Sequence, residues 1–191
     1  MLLLASASPR RAELLTTAGF AFDVRPADVD ETCFDGEPAR DYALRVARAK
    51  ASRIAAVAGA GDVILAADTV VVADARILGK PVDAADAAAM LRTLSGRQHE
   101  VLTAVVLVGG GQTRETVVST TVWLHDLSAE EVAWYVGSGE PMGKAGAYGI
   151  QGRAARFVER IDGSWSNVVG LPISTVYSML RQTGLPAGAG D

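Results

Sequence analysis

The stretch Leu2-Leu3-Leu4-Ala5-Ser6-Ala7-Ser8-Pro9-Arg10-Arg11-Ala12-Glu13-Leu14-Leu15 decides the fold. Its apolar start predicts a buried strand, its two serines a turn, and the residues from Pro9 onward a helix. Ser8 suits the N-cap, and Pro9 suits the first helical position, where a missing N–H costs nothing. A helix start offers unpaired N–H groups and partial positive charge, and here two hydroxyls and two guanidinium groups lie within six residues. Guanidinium groups match phosphate oxygens in pairs, so the pattern points to a polyphosphate. The plainer alternative is that Ser8 only caps the helix while Arg10 and Arg11 lie in solvent.

Outward from this stretch, 191 residues with 49% hydrophobic content suffice for one α/β domain with a sizeable core. A net charge of -4 argues against a general nucleic-acid binder, so positive groups must act locally. The single cysteine, Cys33, excludes an internal disulfide and a cysteine metal cluster, which fits a reducing compartment such as the cytoplasm. No run approaches the ~18 apolar residues of a membrane span, and the short N-terminal apolar run lacks a preceding basic region. Neither a signal peptide nor a membrane segment is expected.

The first helix should end at Gly19, with a second strand over Phe20–Val24 and an unpatterned acidic loop over Arg25–Pro38. Ala39–Val57 carries helical spacing and includes Lys50. Val63–Val72 is the most apolar run and reads as a central strand buried on both faces, yet Asp68 interrupts it. A carboxylate there is costly unless paired, hydrogen-bonded or metal-bound; the alternative is a local cap at a bulge. A helix over Asp83–Leu94 follows Gly79-Lys80-Pro81, which is no phosphate-binding P-loop because Asp74 and Pro81 stand where glycine and Ser/Thr are needed. Gln98–Val108 and Glu115–Leu124 form a hairpin around three glycines, and Ser128 starts another helix. The segment 143–152, with four glycines, reads as a second site loop. Phe157–Ile161 reads as a strand and Trp165–Val169 as another, before a last helix from Pro172 to Leu180 and a frayed tail over 184–191. The order of elements predicts a mixed β-sheet flanked by helices.

Polar residues standing where a fold prefers apolar ones are Ser6, Ser8, Arg10, Arg11, Glu31, Lys50, Asp68, Lys80, Lys144 and Gln151. Cations outnumber carboxylates, which suits a polyphosphate ligand with one or two carboxylates left to hold Mg²⁺ or activate water. Cys33 lies in an acidic loop that disfavours a thiolate nucleophile, and His99 and His125, each on a strand-like run, suit structural roles.

Ser6-Ala7-Ser8-Pro9-Arg10-Arg11, Ala67-Asp68-Thr69, Gly79-Lys80-Pro81, Ser95-Gly96, Thr103-Ala104-Val105, the run Lys144–Gly152 and Gly163-Ser164 to Gly170-Leu171-Pro172 resemble, in order and spacing, the Maf family over residues 2–182. The resemblance implies one domain over 1–191 with a fold similar to the inosine triphosphatase group. It implies a cytoplasmic nucleoside triphosphate pyrophosphatase that releases a nucleoside monophosphate and pyrophosphate, in a family first linked to septum formation. Ala-Asp-Thr and Gly-Ile-Gln-Gly resemble the branch acting on dTTP, UTP and some modified pyrimidine nucleotides. The 7-methyl-GTP branch carries other residues after the aspartate. Carried over by position, the resemblance makes Asp68 the proton acceptor and puts Ser6, Arg10, Arg11, Lys50 and Lys80 on the phosphates; Ser8, from its place in the opening turn, is a further candidate for binding the substrate. Arg10, Thr69 and Gln151 match positions that distinguish the branch. It further implies a metal ligand at Glu31 and suggests a homodimer; the expected cofactor is a divalent cation, Mg²⁺ or Mn²⁺, held by Glu31 with Asp68, and the charge and hydropathy point to no stable nucleic-acid and no membrane partner. Gly79 departs from several relatives that carry an acid before Lys-Pro. Alternative readings are a nucleotide-binding regulator of cell division without turnover, and a 7-methyl-GTP pyrophosphatase.

Overall fold

The structure, a computed structural model, describes residues 1–183; the tail expected over 184–191 lies outside them. Strand β1 (Leu2–Leu4) pairs in parallel with β2 (Asp23–Val24) and with β3 (Val63–Ala73), Leu4 standing opposite Leu65. Side chains alternate across a strand. Leu2, Leu4, Val63, Leu65 and Ala67 accordingly share one buried cluster with Leu15, Leu171, Val176, Met179 and Leu180. Helices α1 (Pro9–Thr17) and α6 (Ile173–Arg181) cover that face. Leu4, Leu15 and Leu65 are wholly buried, each contributing about 2 kcal/mol. Ile64, Ala66 and Asp68 have the opposite parity, and there Asp68 meets α2 (Ala39–Ala55). Coverage on both sides is why the run from Val63 shows no polar alternation.

Among the described residues the sheet has seven strands in the order β2-β1-β3-β5-β6-β7, with β4 (Arg76–Leu78) antiparallel to β3. β5 (Gln98–Gly109) and β6 (Gln112–Leu124) are joined at Gly110 and Gly111, whose φ of 59° and 72° suit a tight two-residue turn. β7 (Val158–Asp162) pairs antiparallel with β6. Parallel and antiparallel pairs coexist, so the mixed sheet flanked by helices is as expected.

Two compact units divide the chain. One comprises Met1–Asp68, Thr103–Val118 and the described residues from Gly170 onward; the other comprises Thr69–Leu102 and Ser119–Val169. The second unit holds α3 (Ala84–Leu94), whose N-cap Asp83 accepts the N–H of Asp86, and α4 (Ala129–Gly137), opened by a reciprocal Ser128–Glu131 capping box. It also holds 3-10 turns at Ala145–Ala147 and Arg153–Phe157 and a short helix α5 (Trp165–Val169). Among the described residues, no helix is long and apolar enough to cross a membrane.

Two expectations need correction, and one element was not expected. Trp165–Val169 is helical rather than extended, because Ser164 caps it: its hydroxyl receives the N–H of Asn167, and its own N–H is anchored on the Thr120 hydroxyl. Only Asp23–Val24 of the second expected strand pairs; Phe20 and Phe22 pack on the core instead. The β3–β4 hairpin escaped notice because Asp74 and Ala75 take positive φ (49° and 60°) where glycine would have signalled the turn.

His99 on β5 is buried and meets the Tyr148 hydroxyl at 2.7 Å through Nε2. Burial pushes His99 down to about 4, so the unfolded chain binds an extra proton between roughly pH 6.5 and 4. Its contribution to stability is complete above that window and is lost as pH falls through it, by about 3 kcal/mol. Urea unfolding from pH 7 to pH 4 should therefore show a steeper stability loss in the native sequence than in His99→Phe; parallel curves would refute this.

Candidate active site

The first unit gathers its polar residues at the carboxyl end of parallel strands, the customary place for ligand sites in open α/β sheets. β1 stops at Leu4 and the chain turns into α1, while β3 runs on past Asp68 to Ala73. Ser6 is buried in the intervening turn. Its Oγ accepts the Ser8 N–H (3.2 Å) and an N–H of Arg11 (3.0 Å). Ser8 occupies the N-cap position with extended backbone, but its side chain makes no capping bond, and Pro9 begins the helix. Arg11 is buried rather than solvated. Its Nε donates to the Gly170 carbonyl at 2.8 Å. Burial lowers its pKa, while the charges of Asp68 and Glu31 oppose that shift and Arg10 adds to it. Arg10 is half-buried.

α2 buries Ala43, Val46, Ala47, Lys50, Ala51 and Ile54. These positions recur every three or four residues and form one stripe. Lys50 thus sits within the apolar stripe, 7% exposed, facing Asp68, also 7% exposed. A buried ammonium is tolerated only when compensated. Lys50 Nζ lies 2.7 Å from Asp68 Oδ1 and 2.7 Å from Glu31 Oε1. The carboxylate that interrupts β3 is therefore satisfied by a cation, not by a local cap.

Glu31 arrives on the acidic loop, which α2 fastens. The Tyr42 hydroxyl donates to the Glu31 carbonyl at 2.8 Å. Arg45 grips both carboxylate oxygens of Glu37 at 2.7 Å, donates to the Thr32 carbonyl at 2.8 Å, and lies 4.2 Å from the centre of the Phe34 ring. Burial, then the Asp68 and Glu31 charges, push Tyr42 up to about 12, so its hydroxyl remains a donor. Sequence reasoning gave neither Tyr42 nor Arg45 a place in the site. The signal was their three-residue spacing, which puts both on one side of α2. Cys33 is exposed and unbridged.

The second unit carries the remaining candidates. Thr69 is half-buried on β3; Lys80 is exposed ahead of α3; Gln151 is exposed in the glycine-rich segment. The Gly146 N–H donates to the Gly79 carbonyl at 3.0 Å, tying the Lys80 segment to that glycine-rich segment. A Cβ on Gly146 would fall 2.9 Å from both Val71 methyls, and its φ is +67°, so no larger residue fits. Lys144 donates its ammonium to the Glu140 carbonyl. Glu140 itself, which the sequence did not single out, receives the Arg153 N–H at 3.0 Å and the Tyr135 hydroxyl at 3.0 Å.

A family profile described as Maf-like protein matches residues 1–183. The chain belongs to the Maf family. A dTTP/UTP pyrophosphatase of Anaeromyxobacter dehalogenans strain 2CP-1 is 53% identical to this Maf chain over 189 residues, covering 97% of it and 95% of the relative. The dTTP/UTP pyrophosphatase of Koribacter versatilis strain Ellin345 is 52% identical over 184 residues, with 96% and 95% covered. That of Myxococcus xanthus strain DK1622 is 50% identical over 186 residues, with 97% and 94% covered. Among solved structures, the Staphylococcus aureus Ham1 protein aligns with a TM-score of 0.45 and 16% identity, over 65% of this Maf chain and 72% of its own.

The double ion pair gives a direct test. Lys50→Met strands two carboxylates, one of them buried, and should lower unfolding free energy by about 3–5 kcal/mol. Arg48→Met breaks an exposed pair with Glu115 and should change little. Urea midpoints compare the two; equal, small effects would show that the Lys50 pair carries no structural weight.

Proposed function

We propose that this Maf chain hydrolyses nucleoside triphosphates, dTTP and UTP before others, to the nucleoside monophosphate and pyrophosphate. The observation that carries the reading is Asp68: an acid inside a β-strand, held 2.7 Å from Lys50, which also holds Glu31. Relatives near half identity over almost the whole chain bear the name dTTP/UTP pyrophosphatase, which supports the same reaction.

In this reading Ser6, Ser8, Arg10, Arg11, Lys50 and Lys80 bind the triphosphate. Their positive charges and hydroxyl donors offset the charge that develops on departing pyrophosphate. Asp68 orients a water and accepts its proton. The water oxygen bonds to the α-phosphorus, and the bond from that phosphorus to the β-phosphate bridging oxygen breaks, leaving as pyrophosphate. Thr69 offers a hydroxyl and Gln151 both a donor and an acceptor, the set needed to distinguish a pyrimidine edge.

The donor set fits a hard divalent cation. Glu31 and Asp68 are two carboxylates that both pair with one cation, the Lys50 ammonium, and Mg²⁺ favours one or two carboxylates completed by phosphate oxygens. Glu31 and Asp68 would hold Mg²⁺ or Mn²⁺, which supplies charge neutralisation on the triphosphate. The reading also places the chain in the cytoplasm, where nucleotide pools lie, and as a homodimer.

Two measurements test the proposal. Asp68→Asn should lower pyrophosphate release at least about 100-fold while the folded variant still binds nucleotide; near-native turnover would remove Asp68 from its role. A panel of dTTP, UTP, CTP, GTP and 7-methyl-GTP should rank dTTP and UTP first, and a preference for a purine would overturn the base assignment.

A further inference from the structure

Gln151 stands in a turn closed by the Gly152 N–H donating to the Gly149 carbonyl at 3.0 Å. Both ends of that turn lead to one side chain. At the far end, the Arg153 N–H donates to Glu140 Oε2 at 3.0 Å. At the near end, the Gly149 N–H donates to the Tyr135 hydroxyl oxygen at 3.2 Å, and that hydroxyl donates its own hydrogen to Glu140 Oε1 at 3.0 Å. Tyr135 is wholly buried and packed edge-on against Phe157 at 5.6 Å, so its hydroxyl has a fixed address. Gly152 lies directly against the carboxylate: a Cβ there would stand 2.6 Å from Glu140 Cδ and 2.9 Å from Oε2. The missing side chain makes room for the Glu140 carboxylate.

We propose that Glu140, acting with Tyr135, is a positioning residue that sets the turn carrying Gln151 and thereby governs discrimination between bases. Neither residue touches the reacting atoms. The inference rests on the reading of Gln151 as the base-contacting residue, and goes beyond it by naming what fixes that residue's register. A carboxylate suits the post because it accepts two donors at once, whereas an amide presents only one acceptor oxygen. Displacing a contacting group by as little as one ångström is expensive, so loosening this turn should be felt in selectivity before it is felt in chemistry.

The experiment measures kcat and KM for UTP and CTP in the full-length protein and its variants. Glu140→Ala should reduce the UTP/CTP ratio of kcat/KM on the order of tenfold, chiefly through KM, and Glu140→Gln should restore part of it. Gly152→Ala evicts the carboxylate and should copy Glu140→Ala. The double variant should be no worse than either, since the clash disappears with the side chain. Tyr135→Phe removes one hydroxyl and should lower the ratio even if the alanine variants fold poorly. If Gln151→Ala flattens the ratio while Glu140→Ala, Gly152→Ala and Tyr135→Phe leave it native, the positioning role is overturned and the base reading stands. If Gln151→Ala leaves the ratio native, the base reading itself fails.

Discussion

The first unit depends on one ammonium placed between two carboxylates. Lys50 occupies a position of α2 that helical spacing reserves for an apolar side chain, and Asp68 one that β3 reserves for the same. Either residue alone would be an unpaired buried charge. Together, with Glu31 completing the set, they compensate one another. The arrangement constrains three elements at once: the pitch of α2 on the sheet, the register of β3 beside β1, and the seat of the acidic loop. A hydrophobic pair at positions 50 and 68 would satisfy the same packing. Charge stands there instead, and in the neighbouring turn Arg11 donates to Ser6 Oγ.

Polar groups in the opening turn are as fully employed as those on α2. Ser6 Oγ receives one backbone and one guanidinium donor, and Arg11 bridges the turn to Gly170, a few residues before α6. These bonds fix the orientation of the hydroxyl and guanidinium groups within the turn. In the second unit the glycine-rich segment is held by side chains rather than by regular pairing. The Tyr135 hydroxyl accepts the Gly149 N–H, Lys144 within the segment donates to the Glu140 carbonyl, and His99 holds Tyr148. Glycines there serve close approach: Gly146 to Val71, and Gly152 to Glu140.

Much of this was legible from residue order. Leu2–Leu4 followed by Ser8-Pro9 specified strand, turn and helix because apolar run, cap position and proline all act locally. Asp68 declared itself by its cost within an apolar run. Lys50 and Glu31 could be named, but not joined, since nothing local brings a loop and a helix to one strand. What escaped depended on contacts distant in sequence. Ser164 became a helix cap because Thr120, 44 residues away, fixes it. Ser8 lost its expected capping bond while Ser6 Oγ took the Ser8 N–H. Asp74 and Ala75 turned a hairpin without glycine, and Glu140 carried no pattern beyond standing near the glycines it serves.

The most direct test of the account is the fate of the water oxygen. Turnover of UTP in ¹⁸O-labelled water, read by mass spectrometry of both products, should place the label in the nucleoside monophosphate and leave pyrophosphate unlabelled, as attack at the α-phosphorus requires. Label in pyrophosphate, or release of labelled orthophosphate, would contradict it.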